Sequence, residues 1–148
     1  MLRKGWISRV ARRTLHVGAA TTAAVVACDI AENRATLGAL NAISHIAWQD
    51  DALSQDDLSA KYTGLALGLN MTAHAGWALI YEFFFGQARG KTALVGGVLV
   101  AILAYVVDYK LVPPRFTPGF EHRVSCRSIV AIYAALALAL AHPTEKVE

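Results

Sequence analysis

Charged residues are scarce in this chain. Asp, Glu, Lys and Arg together make up 17% of its 148 residues, whereas a soluble domain usually carries about 25%. Apolar residues make up 55%. This balance is typical of a membrane protein whose charges lie in loops and tails, and the length suits a single domain.

Cysteines and catalytic motifs are also few. The two cysteines, Cys28 and Cys126, are too few for a zinc site or a disulfide-rich scaffold. The sequence has no glycine-rich phosphate loop, no CxxC and no HExxH. We therefore assign no catalytic residue, no metal ligand and no cofactor, and the sequence favours a protein that is not an enzyme.

Basic residues are concentrated at the start of the chain. Five of them lie in the first thirteen positions, and the net charge is only +3. A nucleic-acid-binding face would need basic residues spread over a folded surface, whereas a cluster beside an apolar stretch is typical of a membrane-flanking segment. We predict a basic N-terminal anchor at residues 1–13 and no nucleic-acid partner.

One long apolar run dominates the chain. Residues 62–86 carry no charge until Glu82, and as a helix they would extend about 37 Å, enough to cross a bilayer. Three further apolar stretches flank this run. The sequence predicts an all-α polytopic membrane protein with a membrane domain at 14–142, a tail at 143–148, and a four-helix transmembrane bundle with spans at about 14–30, 62–86, 92–111 and 125–141.

The first loop contains a weaker helical pattern. Between residues 35 and 48, Leu40 and Ile43 fall on one side of a helix, and Asn41 and His45 fall on the other. This pattern predicts a short interfacial helix in the first loop.

The second span carries a candidate polar intramembrane face. At about 100° per residue, Asn70, His74 and Tyr81 fall within roughly 60° of one another, and Glu82 lies beside them near the end of the span. Ionisable groups within a bilayer are costly unless they face protein and have a partner. We therefore expect these four residues to face other helices.

Two of these residues allow several interpretations. His74 could be a proton relay, a metal ligand or a haem ligand, but a neutral imidazole that links helices by hydrogen bonds is favoured, with Asn70 and Tyr81 on the same face. Haem binding is disfavoured because no second histidine lies at the depth of His74. For Glu82 we favour reaching toward water or pairing with Arg89 or Lys91. The alternative is a carboxylate coupled to proton or cation movement.

Small residues predict where helices approach closely. Gly64 and Gly68 form a GxxxG pair on the second span, and Gly97, Ala101 and Ala104 share one stripe on the third. Small side chains at these spacings allow close contact between helix backbones. We predict helix packing at both sets.

An acid and a base flank the end of the third span. Asp108 precedes Pro113-Pro114, which should stop the helix, and Arg115 follows. We predict an ion pair between Asp108 and Arg115 at the outer edge of the membrane.

The distribution of basic residues sets the topology. The N-terminal cluster and the tight turn holding Arg89 and Lys91 favour the cytoplasmic side, so both termini are expected to be cytoplasmic. This orientation places Cys28 and Cys126 on the same outer side. There they could form a disulfide or remain free thiols.

A cleaved N-terminus is the competing interpretation of the first span. Val25-Val26-Ala27-Cys28 is similar to a lipoprotein signal, and Arg12-Arg13 is a weak twin-arginine match. The preceding apolar stretch is weak, and the rest of the chain is itself apolar. We therefore favour a retained first helix.

Three segments together resemble a known group of proteins. They are NAISH at 41–45 with Trp48, the segment from Trp77 to Glu82, and AYVVDY at 104–109 followed by Pro114-Arg115 and TPGFE at 117–121. With them, the chain resembles a family of small uncharacterised bacterial four-helix inner-membrane proteins over most of residues 15–140. The resemblance implies a multi-pass protein of the bacterial inner membrane and carries over no catalytic residue.

These observations lead to three functional hypotheses. The first is a small integral inner-membrane protein with a non-enzymatic structural or accessory role, in contact with the lipid bilayer and assembled as a homo-oligomer or in a larger membrane complex. The second is a small oligomeric transporter or channel that uses His74 and Glu82. The third is a cofactor-binding protein or an intramembrane enzyme.

Overall fold

The computed structural model describes residues 5–143, and every regular element within that range is helical. The all-α prediction is therefore confirmed for this part of the chain. The first four residues of the predicted anchor and residues 144–148 of the predicted tail lie outside it. In order, the α-helices are α1 (Trp6–Asn33), α2 (Gly38–Ala42), α3 (His45–Trp48), α4 (Asp50–Leu53), α5 (Leu65–Phe85), α6 (Gly90–Val106) and α7 (Cys126–Ala141).

Four shorter turns extend or connect these helices. A π-helical turn at Ala60–Gly64 leads into α5, and a second at Val107–Leu111 continues α6. Two 3-10 turns, Pro114–Phe116 and Phe120–His122, lie between α6 and α7. The helical run of α6 stops before Pro113-Pro114 because proline lacks the backbone N–H that a helix interior requires.

The basic anchor is not a separate segment in the described part. Helix α1 begins at Trp6 and runs for 28 residues, so Arg9 and Arg13 lie in its first turns. No proline interrupts residues 6–33, and Arg13 is 4% exposed. The helix therefore continues through the predicted boundary at residue 13, and one side of its basic part faces protein.

The predicted interfacial helix is replaced by three short helices that fold onto the bundle. Both sides of the amphipathic pattern are buried, since Leu40 is 3% exposed and Asn41 is 0% exposed. Asn41 donates to the carbonyls of Gln55 and Asp57, both at 3.0 Å, and accepts from Thr63 Oγ1 at 2.7 Å. The polar side thus finds partners inside the protein, which is why it does not face the interface.

The four long helices form a closed ring of neighbours. Helix α1 packs against α5 and α7, and α6 packs against the same two helices. Val17, Tyr81, Val100, Leu136 and Leu140 belong to the hydrophobic cluster between them. This arrangement places the start of α1, the α5–α6 turn and the end of α7 at one end of the bundle, here called the arginine end (Arg9, Arg12, Arg13 and Arg89).

The opposite end is covered by the connecting segments. A second hydrophobic cluster joins Val25 of α1 and Ile132 of α7 to Leu40 and Ile43 of the first loop and to Phe120. We call this the loop end (residues 34–59 and 112–125). Its packing closes one side of the bundle interior.

Two of the described helical segments are long and apolar enough to cross a membrane: Trp6–Asn33 and Gly90–Leu111. Cys126–Ala141 is a shorter apolar helix. The core helix of a soluble protein or an N-terminal signal sequence can satisfy the same criterion, but only 28% and 33% of the two apolar windows are buried. By length and composition, these two segments are compatible with a membrane location.

Candidate functional site

The polar residues predicted in the middle of the second span contact helix α1. Asn70 Nδ2 donates to Thr22 Oγ1 at 3.1 Å, and the Nε2 atom of His74 forms a short hydrogen bond with Thr21 Oγ1. Asn70 and His74 therefore join α5 to α1 in the middle of the bundle.

Thr21 Oγ1 lies within hydrogen-bond distance of His74 Nε2 and 2.9 Å from the carbonyl of Val17. Because a hydroxyl can both donate and accept, the direction of its bond with Nε2 depends on the tautomer of the His74 ring. His74 is 7% exposed, and among the described residues Nδ1 has no hydrogen-bond partner.

His74 borders a cavity of about 140 Å³ between α1, α5, α7 and the loop end. Aromatic and aliphatic side chains form most of the wall, including Trp77 and Phe120. The polar lining includes Asn70, His74 and Asp108. The cavity combines an apolar wall with a few hydrogen-bonding groups, but its volume is below the roughly 300–1,000 Å³ of sites for drug-sized ligands.

The predicted ion pair between Asp108 and Arg115 is wrong. Asp108 Oδ2 instead accepts from Tyr133 Oη at 2.6 Å, and Arg115 is exposed in the 3-10 turn that begins at Pro114. Asp108 lies in the π-helical turn that continues α6, on the side facing α7, whereas the two prolines carry the chain away before Arg115. The carboxylate therefore links α6 to α7.

A group of three tyrosines surrounds this contact and was not anticipated from the sequence. The ring centroids of Tyr105, Tyr109 and Tyr133 lie 5.0 to 6.1 Å apart, and Tyr109 Oη donates to Glu121 Oε2 at 3.4 Å. The one signal in the sequence that could have indicated this group is the four-residue spacing of Tyr105 and Tyr109.

At the arginine end, Glu82 pairs with helix α1. Its carboxylate lies 3.1 Å from Arg9 Nε and 2.9 Å from Arg13 Nε, and its side chain is 0% exposed. The predicted alternatives, reaching toward water or pairing with Arg89 or Lys91, are therefore wrong. Because α1 is continuous through its basic turns, Arg9 and Arg13 lie one turn apart on the face that meets α5.

Arg13 also reaches the other helices at this end. Its Nη1 atom donates to the carbonyls of Leu140 and His142 at the end of α7, the second at 3.0 Å. The guanidinium lies 4.5 Å from the ring centroid of Tyr81, and Tyr81 Oη donates to the carbonyl of Ala93 on α6 at 3.1 Å. Arg13, Tyr81 and Glu82 together connect all four long helices.

The two predicted small-residue sets behave differently. A Cβ atom added at Gly97 would overlap the backbone carbonyl of Ala137, so α6 and α7 are in close contact there, and Ala101 and Ala104 are buried. At Gly64 and Gly68, an added Cβ would meet nothing within 4 Å. The GxxxG pair therefore makes no close helix contact within the described chain, and both glycines are exposed.

Cys28 and Cys126 are both free thiols in the structure, which is one of the two alternatives that the sequence left open. Both lie toward the loop end, where the carboxylate of Glu32 accepts from the backbone N–H of Ser125 at 2.7 Å and from its hydroxyl at 2.6 Å. A side-chain contact, rather than a disulfide, thus joins the end of α1 to the start of α7.

Residues 5–143 contain no cluster of three or more His, Cys, Asp or Glu that could hold a metal ion. Comparison with family models, curated proteins and solved structures found no match for this chain.

Proposed function

We propose that this protein is a small multi-pass component of the bacterial inner membrane with a non-enzymatic, structural or accessory role. In this proposal α1, α5, α6 and α7 each cross the bilayer, and both termini are cytoplasmic. The observation that carries the structural role is that the polar residues of α5 bond to neighbouring helices. Such contacts hold a bundle together where lipid provides no hydrophobic drive for helices to associate.

The outward-facing residues support the membrane location. On α6, Val95, Leu99 and Ile102 are 52 to 56% exposed, and on α7 Val130 and Leu138 are 69% and 63% exposed. Contiguous apolar surface of this kind indicates contact with a membrane or with another protein.

The grouping of arginines supports the orientation. Arg9, Arg12 and Arg13 start α1, and Arg89 lies in the α5–α6 turn at the same end of the bundle. Basic residues in short segments next to membrane helices favour the cytoplasmic side.

Labelling with a membrane-impermeant maleimide tests both location and orientation. In Cys28→Ser protein, the remaining exposed thiol at Cys126 should react in intact spheroplasts. In a cysteine-free variant carrying Gln87→Cys in the α5–α6 turn, the new thiol should react only after lysis. The opposite pattern would overturn the orientation, and recovery of the protein in the soluble fraction without detergent would overturn the membrane location.

Self-association through the outward glycines is part of the same proposal. Gly64, at the end of the π-helical turn before α5, and Gly68 and Gly76 of α5 all face open space, and GxxxG pairs promote helix dimers in membranes. Gly64→Leu/Gly68→Leu should lower the oligomer population measured by crosslinking in membranes, whereas Val95→Leu on the exposed side of α6 should leave it unchanged. An unchanged population in the double variant would exclude this face as the interface.

The Nδ1 atom of His74, which has no hydrogen-bond partner within residues 5–143, lies beside the cavity and favours a second candidate function, proton or cation movement. Glu82, the other residue of that hypothesis, is held by two arginines at the arginine end and does not line the cavity. Flux assays in proteoliposomes separate the two functions. If the role is structural, His74→Leu folds and neither protein conducts; if wild type conducts and folded His74→Leu does not, transport is supported instead.

A further inference from the structure

The cavity of about 140 Å³ beside His74, here called the His74 cavity, has one acidic side chain in its wall, Asp108, and no lysine or arginine among the described residues. Four aromatic side chains share the wall with this acid: Trp77, Phe116, Phe120 and Tyr133. We propose that the His74 cavity binds a small organic cation, an ammonium group attached to an apolar group about the size of one ring.

Asp108 is a carboxylate without a basic partner within residues 5–143. Tyr133 Oη donates to its Oδ2 atom at 2.6 Å, and its Oδ1 atom has no hydrogen bond or ion pair in that range. Lys110 and Arg115, the basic residues nearest to it in sequence, are exposed and do not line the cavity. Because an ionised group among apolar side chains is costly without a partner, a cation bound in the cavity would be stabilised by Asp108.

Asp108 lies far from both ends of the described chain. Gly5 and Pro143 border a different cavity at the arginine end, where α6 begins. Asp108 lies in the turn that continues the other end of α6. The 17 residues of this helix extend about 25 Å, so approximately this distance separates the acid from the ends of the described chain.

The size and the wall of the cavity suit an ammonium group with an apolar part. An apolar cavity of about 150 Å³ holds one benzene ring, and the His74 cavity is similar in volume. Aromatic ring faces attract cations, and proteins recognise quaternary ammonium groups in this way. A metal ion fits less well, because it needs several oxygen, nitrogen or sulfur ligands, and no cluster of acids, histidines and cysteines within residues 5–143 could hold one.

Two further polar side chains at the wall have unused hydrogen-bonding capacity. Asn70 donates to Thr22 Oγ1 at 3.1 Å through Nδ2, and its amide oxygen makes no hydrogen bond within the described residues. The same holds for the Nδ1 atom of His74, although that side chain is 7% exposed. Buried polar groups without partners are rare in native proteins, so their presence here favours a ligand that forms hydrogen bonds.

The cavity lies next to the protein surface at two positions. Ala73 on α5 and Phe116 in the first 3-10 turn both line it, and both are exposed. These positions give a ligand a short path to the wall. They also allow the wall to be altered without a change in the hydrophobic core, since Phe116 is 53% exposed.

This inference goes beyond the proposed structural role and does not depend on it. Binding is measured by equilibrium dialysis on the full-length protein in detergent, whichever way the protein lies in a membrane and whether or not it conducts. Protein-free micelles serve as the blank for ligand that enters detergent. The probes are benzylammonium, benzyl alcohol, which has the same shape without the charge, and tetrabutylammonium, a cation too large for the cavity.

Two variants make the same charge change in different places. Asp108→Asn keeps the shape of the side chain and an acceptor for Tyr133, and Asp51→Asn alters an exposed acid of the first loop. We expect wild type and Asp51→Asn to bind benzylammonium equally and Asp108→Asn to bind it about tenfold more weakly, because charge-assisted hydrogen bonds are the stronger ones. Benzyl alcohol should bind wild type about tenfold more weakly than benzylammonium does, and tetrabutylammonium should not bind.

Three results would overturn the inference. They are no binding of benzylammonium to wild type, equal binding of it to Asp108→Asn, and equally tight binding of benzyl alcohol or tetrabutylammonium. If Asp108→Asn does not fold, Phe116→Ala replaces it, with Phe83→Ala, an exposed position of α5 outside the cavity wall, as its control. We expect Phe116→Ala to bind benzylammonium about threefold more weakly than the control, and equal affinity would also overturn the inference.

Discussion

Arg13 of the first long helix and Glu82 of the second are separated by 69 positions in sequence, yet Arg13 Nε lies 2.9 Å from Glu82 Oε1. Both side chains are buried, at 4% and 0% exposure. The pair lies between helices that the proposed function places across a membrane. Arg13 also donates to backbone carbonyls at the end of α7, and Tyr81, whose ring lies beside its guanidinium, donates to the carbonyl of Ala93 on α6.

Removing the carboxylate of this pair should be strongly destabilising. Glu82→Gln removes the carboxylate that both Arg9 and Arg13 contact, at a position where the Arg13 and Glu82 side chains are buried, and breaking a buried ion pair by removing one partner costs about 3–5 kcal/mol. Chemical unfolding in detergent should show a loss of that size, or the variant should fail to accumulate. Asp51→Asn, which alters an exposed acid of the first loop, should change the free energy of unfolding by less than about 0.5 kcal/mol. Equal stability of the two variants would contradict the assignment of a buried ion pair at Glu82.

Two glycines provide a matched comparison of helix packing. Gly97→Ala places a Cβ against the backbone of Ala137, and we expect a loss of about 1–3 kcal/mol as α6 and α7 move apart. Gly68→Ala adds the same atom where nothing lies within 4 Å, so it should stabilise α5 by up to about 1 kcal/mol. Thermal unfolding of the two variants measures the difference, and the same sign for both would show that α6 and α7 are not in close contact at Gly97.

Asn41 should hold the first loop on the bundle. Asn41→Leu removes its bonds to Gln55, Asp57 and Thr63, and each buried polar group left unpaired costs about 1–3 kcal/mol. We expect faster proteolysis between residues 49 and 60 and a lower unfolding midpoint. Gln87→Leu, an exposed amide in the α5–α6 turn, is the control. If Asn41→Leu is cleaved at the same rate as wild type, Asn41 does not hold the first loop on the bundle.

The hydroxyl of Tyr133 is expected to contribute more to the free energy of unfolding than the hydroxyl of Tyr105. Tyr133→Phe leaves the Asp108 carboxylate without its hydrogen-bond donor, a loss of about 1–3 kcal/mol. The hydroxyl of Tyr105 makes no hydrogen bond within the described residues, so Tyr105→Phe should have little effect on the free energy of unfolding. Equal destabilisation would show that ring packing, rather than the hydrogen bond, stabilises this group.

The sequence predicted the positions and apolar character of the helices more closely than the residues that each helix contacts. Long apolar stretches without proline indicated the long helices, and the stripe of Gly97, Ala101 and Ala104 predicted a packing face that the structure places against α7. The prediction that Asp108 pairs with Arg115 relied on their proximity in sequence. It was wrong because the π-helical turn directs Asp108 toward Tyr133. The prediction of an interfacial helix in the first loop was wrong because an amphipathic pattern does not show whether its polar side meets water or buried partners.

The amino-acid sequence by itself determined that the described chain is helical and where its apolar stretches lie, because these depend on the local order of side chains and on the positions of proline. Only the tertiary structure decided that Glu82 meets Arg9 and Arg13, that Asn41 is buried, and that four arginines lie at one end of the bundle. Each of these depends on which helix faces touch across long separations in sequence, and that is set by the packing of the whole bundle.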